Sequence, residues 1–185
     1  SAAAVVYKRQ VPFVHFPNVS ADLGRDTFNL SGGVVVDDFD NDHHLDILTS
    51  SWGSDASPRL FTGNRDGSFE NRSKSSGLEG LYGGLNLESA DYNNDGNLDI
   101  FASSYDGKTQ DQARHLLGKP GKYEPARLYR GDGKGAFTDT AAAAGLDFPM
   151  LPMGSNFGDL DGDGFLDFYL GTGDPEYASI MPNLM

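Results

Sequence analysis

Asp159-Leu160-Asp161-Gly162-Asp163-Gly164-Phe165-Leu166-Asp167 decides the fold, because its carboxylates fall at positions 1, 3, 5 and 9 of a nine-residue loop. A glycine at position 6 allows a sharp turn, and apolar residues lead away from it. Several hard oxygens converging in one short loop are what an oxygen-only Ca²⁺ site needs, with a backbone carbonyl filling a gap in the shell. Two further copies are Asp38-Phe39-Asp40-Asn41-Asp42-His43-His44-Leu45-Asp46 and Asp91-Tyr92-Asn93-Asn94-Asp95-Gly96-Asn97-Leu98-Asp99. The candidate ligands are Asp38, Asp40, Asp42 and Asp46; Asp91, Asn93, Asp95 and Asp99; and Asp159, Asp161, Asp163 and Asp167. Position 7 would contribute a backbone carbonyl in each loop, from His44, Asn97 and Phe165.

Acids packed this densely repel one another unless they are neutralised, which disfavours plain acidic turns. An EF-hand would place its last acid at position 12 between helices, whereas these loops end at position 9 between apolar, strand-like segments. Mg²⁺ retains its waters and seldom accepts an all-protein cage. Two acids flanking a bond would suit glycoside hydrolysis, but metal ligation already accounts for most of these aspartates. No Ser-His-Asp pattern, phosphate loop or pair of metal-binding histidines is recognisable.

The loops belong to a longer repeat. Phe16, Gly24, Asp38 and Asp46 recur as Phe69, Gly77, Asp91 and Asp99 and as Phe137, Gly145, Asp159 and Asp167, with separations of 8, 14 and 8 each time. A 31-residue block thus returns without a gap, at 16–46, 69–99 and 137–167. The spacer from Asp46 to Phe69 is 23 steps and that from Asp99 to Phe137 is 38, so 15 residues are inserted in the second, at about 103–125. Within the spacers, Arg59-Leu60-Phe61-Thr62-Gly63 followed by Phe69 aligns with Arg127-Leu128-Tyr129-Arg130-Gly131 followed by Phe137, each across a Gly/Asp-rich turn. That is a hairpin signature. With one strand leading into each acidic loop and one leading out, each unit offers four short strands. Helix signals are few: Ser73 to Leu78 and Ala141 to Leu146 suit single turns closed by glycine, and 24 glycines and 9 prolines leave no long amphipathic segment. The expected fold class is all-β, with about three β-propeller blades forming an incomplete ring or a segment of a larger propeller.

These residues resemble the FG-GAP/VCBS repeat family, whose blades carry a D-x-D-x-D-G-x-x-D loop between their first two strands. Gly83-Gly84-Leu85-Asn86, the stretch from Leu128 to Asp139, and Pro182-Asn183-Leu184-Met185 look like the branch that includes UnbV-type bacterial proteins and cartilage acidic protein. The resemblance covers residues 13–185 as propeller repeats and leaves 1–12 as an N-terminal extension. It implies a calcium-stiffened, extracellular or cell-envelope-exposed module of recognition or adhesion, binding protein or glycan, and no enzyme. The alternatives are a propeller enzyme acting on polysaccharide in the manner of a lyase, and a subunit of a repeating surface assembly. Two departures stand out. His43 occupies the place of Gly96 and Gly164, where positive φ is needed, so the first site is expected to be weaker or shifted. Asn183-Leu184-Met185 aligns with Arg59-Leu60-Phe61, inside a third strand, and three units cannot close a ring of four or more.

Composition agrees with metal loops. The 27 acids and 14 bases leave a net charge of −13, which argues against nucleic acid and anionic membranes as partners. Eleven of the acids are loop aspartates, and two charges from each of three ions would bring −13 to −7. With no cysteine there are neither disulfides nor thiolate zinc sites. Modest-affinity calcium sites suit compartments where the free ion is abundant. No apolar run approaches a membrane span. Ser1 to Val6 reads either as a mature N-terminus after signal cleavage or as an arbitrary chain end.

Half of the basic residues, 7 of 14, lie between Lys108 and Lys134 against Asp111, Glu124 and Asp132, a local +4. The insertion therefore reads as a basic loop, either a contact for an acidic glycan or protein or a solvated counterweight to the acidic rim. Trp52 is expected to pack between blades. The sequons at Asn18, Asn29 and Asn71 fit glycan acceptors, but Asn18 and Asn71 align with Asp139, which suits a turn role equally well. Outside the loops, Asp106, Asp111, Asp174 and Glu176 are the remaining candidate acids.

Overall fold

A computed structural model of the chain describes residues 17–22, 31–53, 56–80, 84–105, 107–173 and 184. Phe16, Gly24, Asn29, Asp106, Asp174, Glu176 and the extension 1–12 lie outside the described residues. Among the described residues ten strands form three antiparallel sheets. The first contains β1 (Ser31–Asp37), β2 (Asp46–Ser51), β3 (Arg59–Gly63) and β4 (Phe69–Asn71) in that spatial order. The second repeats it with β5 (Gly84–Ala90), β6 (Asp99–Ser104), β7 (Arg127–Gly131) and β8 (Phe137–Asp139). The third pairs β9 (Pro152–Gly158) with β10 (Asp167–Thr172), and an isolated bridge joins Leu170 to Leu184.

This is the all-β, blade-by-blade architecture that the repeat predicts, and the register repeats with it. Leu48 pairs Leu60 and Ile47 pairs Phe61 in the first sheet; Phe101 pairs Leu128 and Ile100 pairs Tyr129 in the second. The leading strands neighbour one another, β1 against β5 and β5 against β9, so the sheets succeed each other face to face. Among the described residues they do not close a ring.

Alternation along the strands sends side chains into two cores, since successive residues point to opposite faces. In β6, Ile100 and Ala102 join Phe39, Leu48, Leu60, Leu87, Tyr129 and Phe137 between the first and second sheets. Phe101 joins Leu128, Ala126, Met150 and Leu170 between the second and third. Every residue of β6 is buried, because a neighbouring sheet covers each of its faces. Aromatic edges lock both interfaces: Phe39 meets Phe137 at 5.9 Å, and Phe168 meets Phe101 at 4.3 Å and Phe157 at 4.8 Å.

The glycine-closed turns are present at residues 73–77 and 141–145, with Gly77 and Gly145 at φ 77° and 72°. Three expectations change. Part of the insertion is helical: α1 (Thr109–Leu116) lies between β6 and β7 and is held by Gln112 Nε2 donating to the Pro149 carbonyl at 2.8 Å and by His115 stacked on Phe148. Trp52 is 56% exposed and does not pack between blades, since it sits beyond the end of β2 where, among the described residues, no neighbouring strand covers it. The basic run is also divided. Arg127 is taken up by Glu124 and Asp139, at 2.7 and 3.0 Å, and so belongs to the strand framework. Asn18 and Asn71 accept bonds from the backbone and hydroxyl of Ser20 and Ser73, and Asp139 accepts from the Ala141 amide, so all three hold turns.

Candidate metal centre

Each acidic loop joins the first two strands of its sheet: 38–45 between β1 and β2, 91–98 between β5 and β6, and 159–166 between β9 and β10. One internal hydrogen-bond pattern builds all three. The position 1 carboxylate accepts from the amides of positions 5 and 6: Asp38 from Asp42 and His43, Asp91 from Asp95 and Gly96, and Asp159 from Asp163 and Gly164, all within 2.8–3.1 Å. The position 5 carboxylate accepts from position 7, as Asp42 does from His44, Asp95 from Asn97 and Asp163 from Phe165. Each loop is thereby curled around its own carboxylates.

The tight curl needs two left-handed residues. At position 6 they are His43 (φ 69°), Gly96 (85°) and Gly164 (89°). His43 thus takes the conformation that glycine takes elsewhere, and the first loop closes in the same form as the others, at the cost of placing a Cβ in a region that L-residues avoid. Position 4, which the glycine pattern does not mark, is also left-handed: Asn41 at 59°, Asn94 at 57° and Gly162 at 78°. Asn and Gly are the residues that tolerate this region, so the signal was present in the residue types.

Position 9 has a second task. Asp46 Oδ2 accepts from the Phe39 amide and Oδ1 from the Gly63 amide, both at 2.9 Å. Asp99 accepts likewise from Tyr92 at 3.2 Å and Gly131 at 2.9 Å, and Asp167 accepts from Leu160 at 2.8 Å. Asp46 and Asp99 are buried, and they fasten the loop to the last residue of the third strand. Gly63 and Gly131 are required there because a Cβ would run into the carbonyl oxygens of Leu45 and Leu98. Burial pushes the Asp99 carboxyl up to about 6, against the lowering by the two amides, with Asp95 and Asp91 raising it further. Asp46 is raised for the same leading reason.

Two groups of three carboxylates bring oxygens within 4.8 Å of one another: Asp38, Asp40 and Asp42, and Asp159, Asp161 and Asp167. In the second loop no three carboxylates draw together this closely; Asn93 stands at position 3, where the other loops have Asp40 and Asp161. The first group is the more enclosed, and its Asp40 Oδ1 is buried without a hydrogen-bond partner. Burial, then the charges of Asp42 and Asp38, raise the Asp40 carboxyl. Arg72, reaching from the turn after β4, lies 3.6 Å from its other oxygen and partly offsets this. An all-oxygen, multiply anionic donor set with an orphaned buried oxygen fits a hard divalent cation.

The loops are also joined to one another. Asn41 Nδ2 donates to Asn97 Oδ1 at 3.2 Å, and Asn94 Nδ2 donates to the Gly164 carbonyl at 3.0 Å. Position 4 of each of the first two loops therefore reaches into the next.

Stacked four-stranded units with an acidic loop between their first two strands define a β-propeller-type repeat protein. The profile of the FG-GAP-like repeat matches residues 38–102 and 113–170, more than half of the sequence and all three acidic loops, and the chain belongs to that family. No curated protein sequence matches it. Among the described residues no helix is long and apolar enough to cross a membrane.

Proposed function

We propose that this chain is a calcium-stiffened propeller module that acts outside the cytoplasm as a recognition element for a protein or glycan, nearest in kind to the UnbV-type and cartilage acidic protein branch. The observation that carries the calcium reading is the buried, unpartnered Asp40 Oδ1 within the group of Asp38, Asp40 and Asp42. Such a group is costly without a cation, since burial and the charges of Asp42 and Asp38 raise the Asp40 carboxyl. Ca²⁺ would be held by Asp38, Asp40, Asp42 and Asp46 with the His44 carbonyl, by Asp91, Asn93, Asp95 and Asp99 with the Asn97 carbonyl, and by Asp159, Asp161, Asp163 and Asp167 with the Phe165 carbonyl. When bound, the ion supplies charge neutralisation and a fixed junction between strands. The chain's own residues do the rest: the position 1 aspartates curl the loops, Asp46 and Asp99 clamp the first two to the third strands of their sheets, and the asparagines at position 4 link one loop to the next. Placement outside the cytoplasm follows from the ion, because loops of this kind fill where free calcium is abundant.

The test is thermal unfolding with calcium and after chelation. A site held at about 100 times its Kd adds about 2.7 kcal/mol, which is about 5–10 °C for a domain of this size. A melting temperature indifferent to strong chelation would overturn the calcium reading.

A further inference from the structure

The insertion between β6 and β7 borders a half-open cavity of about 350 Å³, lined by Tyr105, Gly107, Lys108, Gln110, Asp111, Arg114 and Lys122. Among the described residues, three cations and one carboxylate line it, a local excess of positive charge on a chain whose net charge is −13. Asp111 is 4% exposed and acts as the clamp that assembles it. Its Oδ2 accepts from the Lys108 amide and its Oδ1 from the Lys122 amide, both at 3.2 Å, so two lysines fourteen positions apart are fixed to one carboxylate. Arg114 lies one helical turn beyond Asp111 and so shares its face of α1. Among the described residues none of Lys108, Arg114 and Lys122 forms an ion pair, in contrast to Arg72 and Arg127.

The walls are fixed in advance. Gln112 and His115 tie α1 to Pro149 and Phe148, Tyr105 Oη donates to the Gly173 carbonyl at 3.1 Å, and the buried Leu151, beside Gly107, is held at φ 47°. Such preorganisation reduces what a ligand must spend on ordering its site.

We infer that this cavity binds an acidic sugar, one ring of which carries a carboxylate. The inference deepens the recognition reading above by giving it a ligand class, and it does not depend on the metal loops. A planar guanidinium with two lysines lining the same cavity matches a carboxylate. Each Asp111 oxygen accepts one amide and keeps acceptor capacity for a hydroxyl, and the exposed Gln110 amide supplies both donor and acceptor. The cavity lies at the small end of the range for ligand pockets and is concave, whereas a stable protein partner needs about 800 Å² of surface with an apolar centre. Leu116 and Leu117, the exposed apolar residues at the end of α1, do not line it.

The experiment is a titration of the full chain in calcium with digalacturonate, neutral galactobiose and inorganic sulfate, followed by calorimetry and by amide shifts of residues 105–122. Digalacturonate should bind at least about tenfold more tightly than either comparison compound, as one charge-assisted contact implies. Arg114→Gln should lose about tenfold, while Lys119→Gln, outside the cavity, should lose nothing. An unchanged melting temperature for Arg114→Gln shows that the loss is not misfolding; if that variant is destabilised, Lys108→Gln and Lys122→Gln carry the same expectation. Equal binding of sulfate and digalacturonate, equal binding of galactobiose, or indifference of digalacturonate binding to all three substitutions overturns the inference. Repeating the titration after chelation separates the two readings, because loss of the calcium effect on melting leaves the sugar affinity to be judged alone.

Discussion

Asn41 and Asn97, fifty-six positions apart, share a hydrogen bond of 3.2 Å that joins the first acidic loop to the second, and Asn41 also reaches the Gly133 carbonyl in the hairpin of the second sheet. The first two acidic loops are thus coupled as well as repeated. Asn41→Gly keeps the left-handed backbone that position 4 requires and removes only the amide. Combined with Asn97→Ala in a double-mutant cycle, it should reveal a coupling of about 0.5–1 kcal/mol in stability, the net worth of one exposed hydrogen bond. Because such coupling is reciprocal, the Asn41→Gly protein should also lose part of any cooperativity between its first two calcium sites, measured by titration calorimetry. Strict additivity of the two substitutions would show that the loops act independently.

Arg72 holds its guanidinium 3.6 Å from Asp40 and is a tethered cation beside the first site. Thr140 occupies the equivalent place in the next repeat, where its hydroxyl meets Tyr92. An incoming ion and Arg72 compete for the same carboxylate, and a unit charge about 4 Å away in watery surroundings is worth about 1 kcal/mol. Arg72→Gln should therefore tighten calcium binding at the first loop by about fivefold while lowering the melting temperature of the chelated protein. A weaker or unchanged first site in the calorimeter would mean that Arg72 supports the loop without competing for it.

Tyr129 is fully enclosed between the first two sheets, and its hydroxyl has no hydrogen-bond partner. Burial raises its pKa well above the usual phenol range, so it stays neutral throughout the working range of pH. The matching residue of the first repeat is Phe61, buried in the same register against β2. An unsatisfied buried hydroxyl costs about 1–3 kcal/mol, and the ring does the packing. Tyr129→Phe should raise stability in urea unfolding by about 1 kcal/mol without changing the slope. A loss of stability would reveal a partner for the hydroxyl.

The blades were legible because their signal is written three times: the same separations link Phe, Gly and Asp, and the strands lie where those separations place them. Within the loops the acids and the glycine at position 6 were readable for the same reason. The second left-handed position was readable in principle from Asn41, Asn94 and Gly162, which share nothing except tolerance of positive φ. The remaining features depend on which sheets become neighbours. The eight residues of α1 carry little apolar periodicity, and Pro149 and Phe148, far along the chain, hold the helix in place. Trp52 looked like a packing residue by its chemistry, but its exposure is set by what fails to cover the end of β2. The bonds between loops and the reach of Arg72 to Asp40 have no local signature, since each requires two elements to be brought together by the cores between them.

The buried aspartates at position 9 predict an unusual dependence on pH. With its folded pKa near 6 and an ordinary value of 3.8, Asp99 holds a proton more tightly in the folded protein than in the unfolded one. Its contribution is therefore fully present at low pH and is lost as pH rises through about 6. Asp46 and Asp40 are raised and act in the same direction. Asp42, Asp66 and Asp95 are lowered, mainly by hydrogen bonds to their carboxylates, and they lose stability only as pH falls below the ordinary carboxylate range. Between pH 7 and pH 5 the raised group governs, so the chelated protein should melt at a higher temperature at pH 5 than at pH 7. Bound calcium favours the ionised carboxylates, and protons then compete with the ion, so the gap between calcium-loaded and chelated melting curves should narrow over the same interval. Asp99→Asn removes the titrating group and should flatten the slope of the chelated protein even though it weakens the clamp to Gly131. Melting temperatures of the chelated wild type that fall steadily from pH 7 to pH 5 would show that these carboxylates stay ionised in the fold.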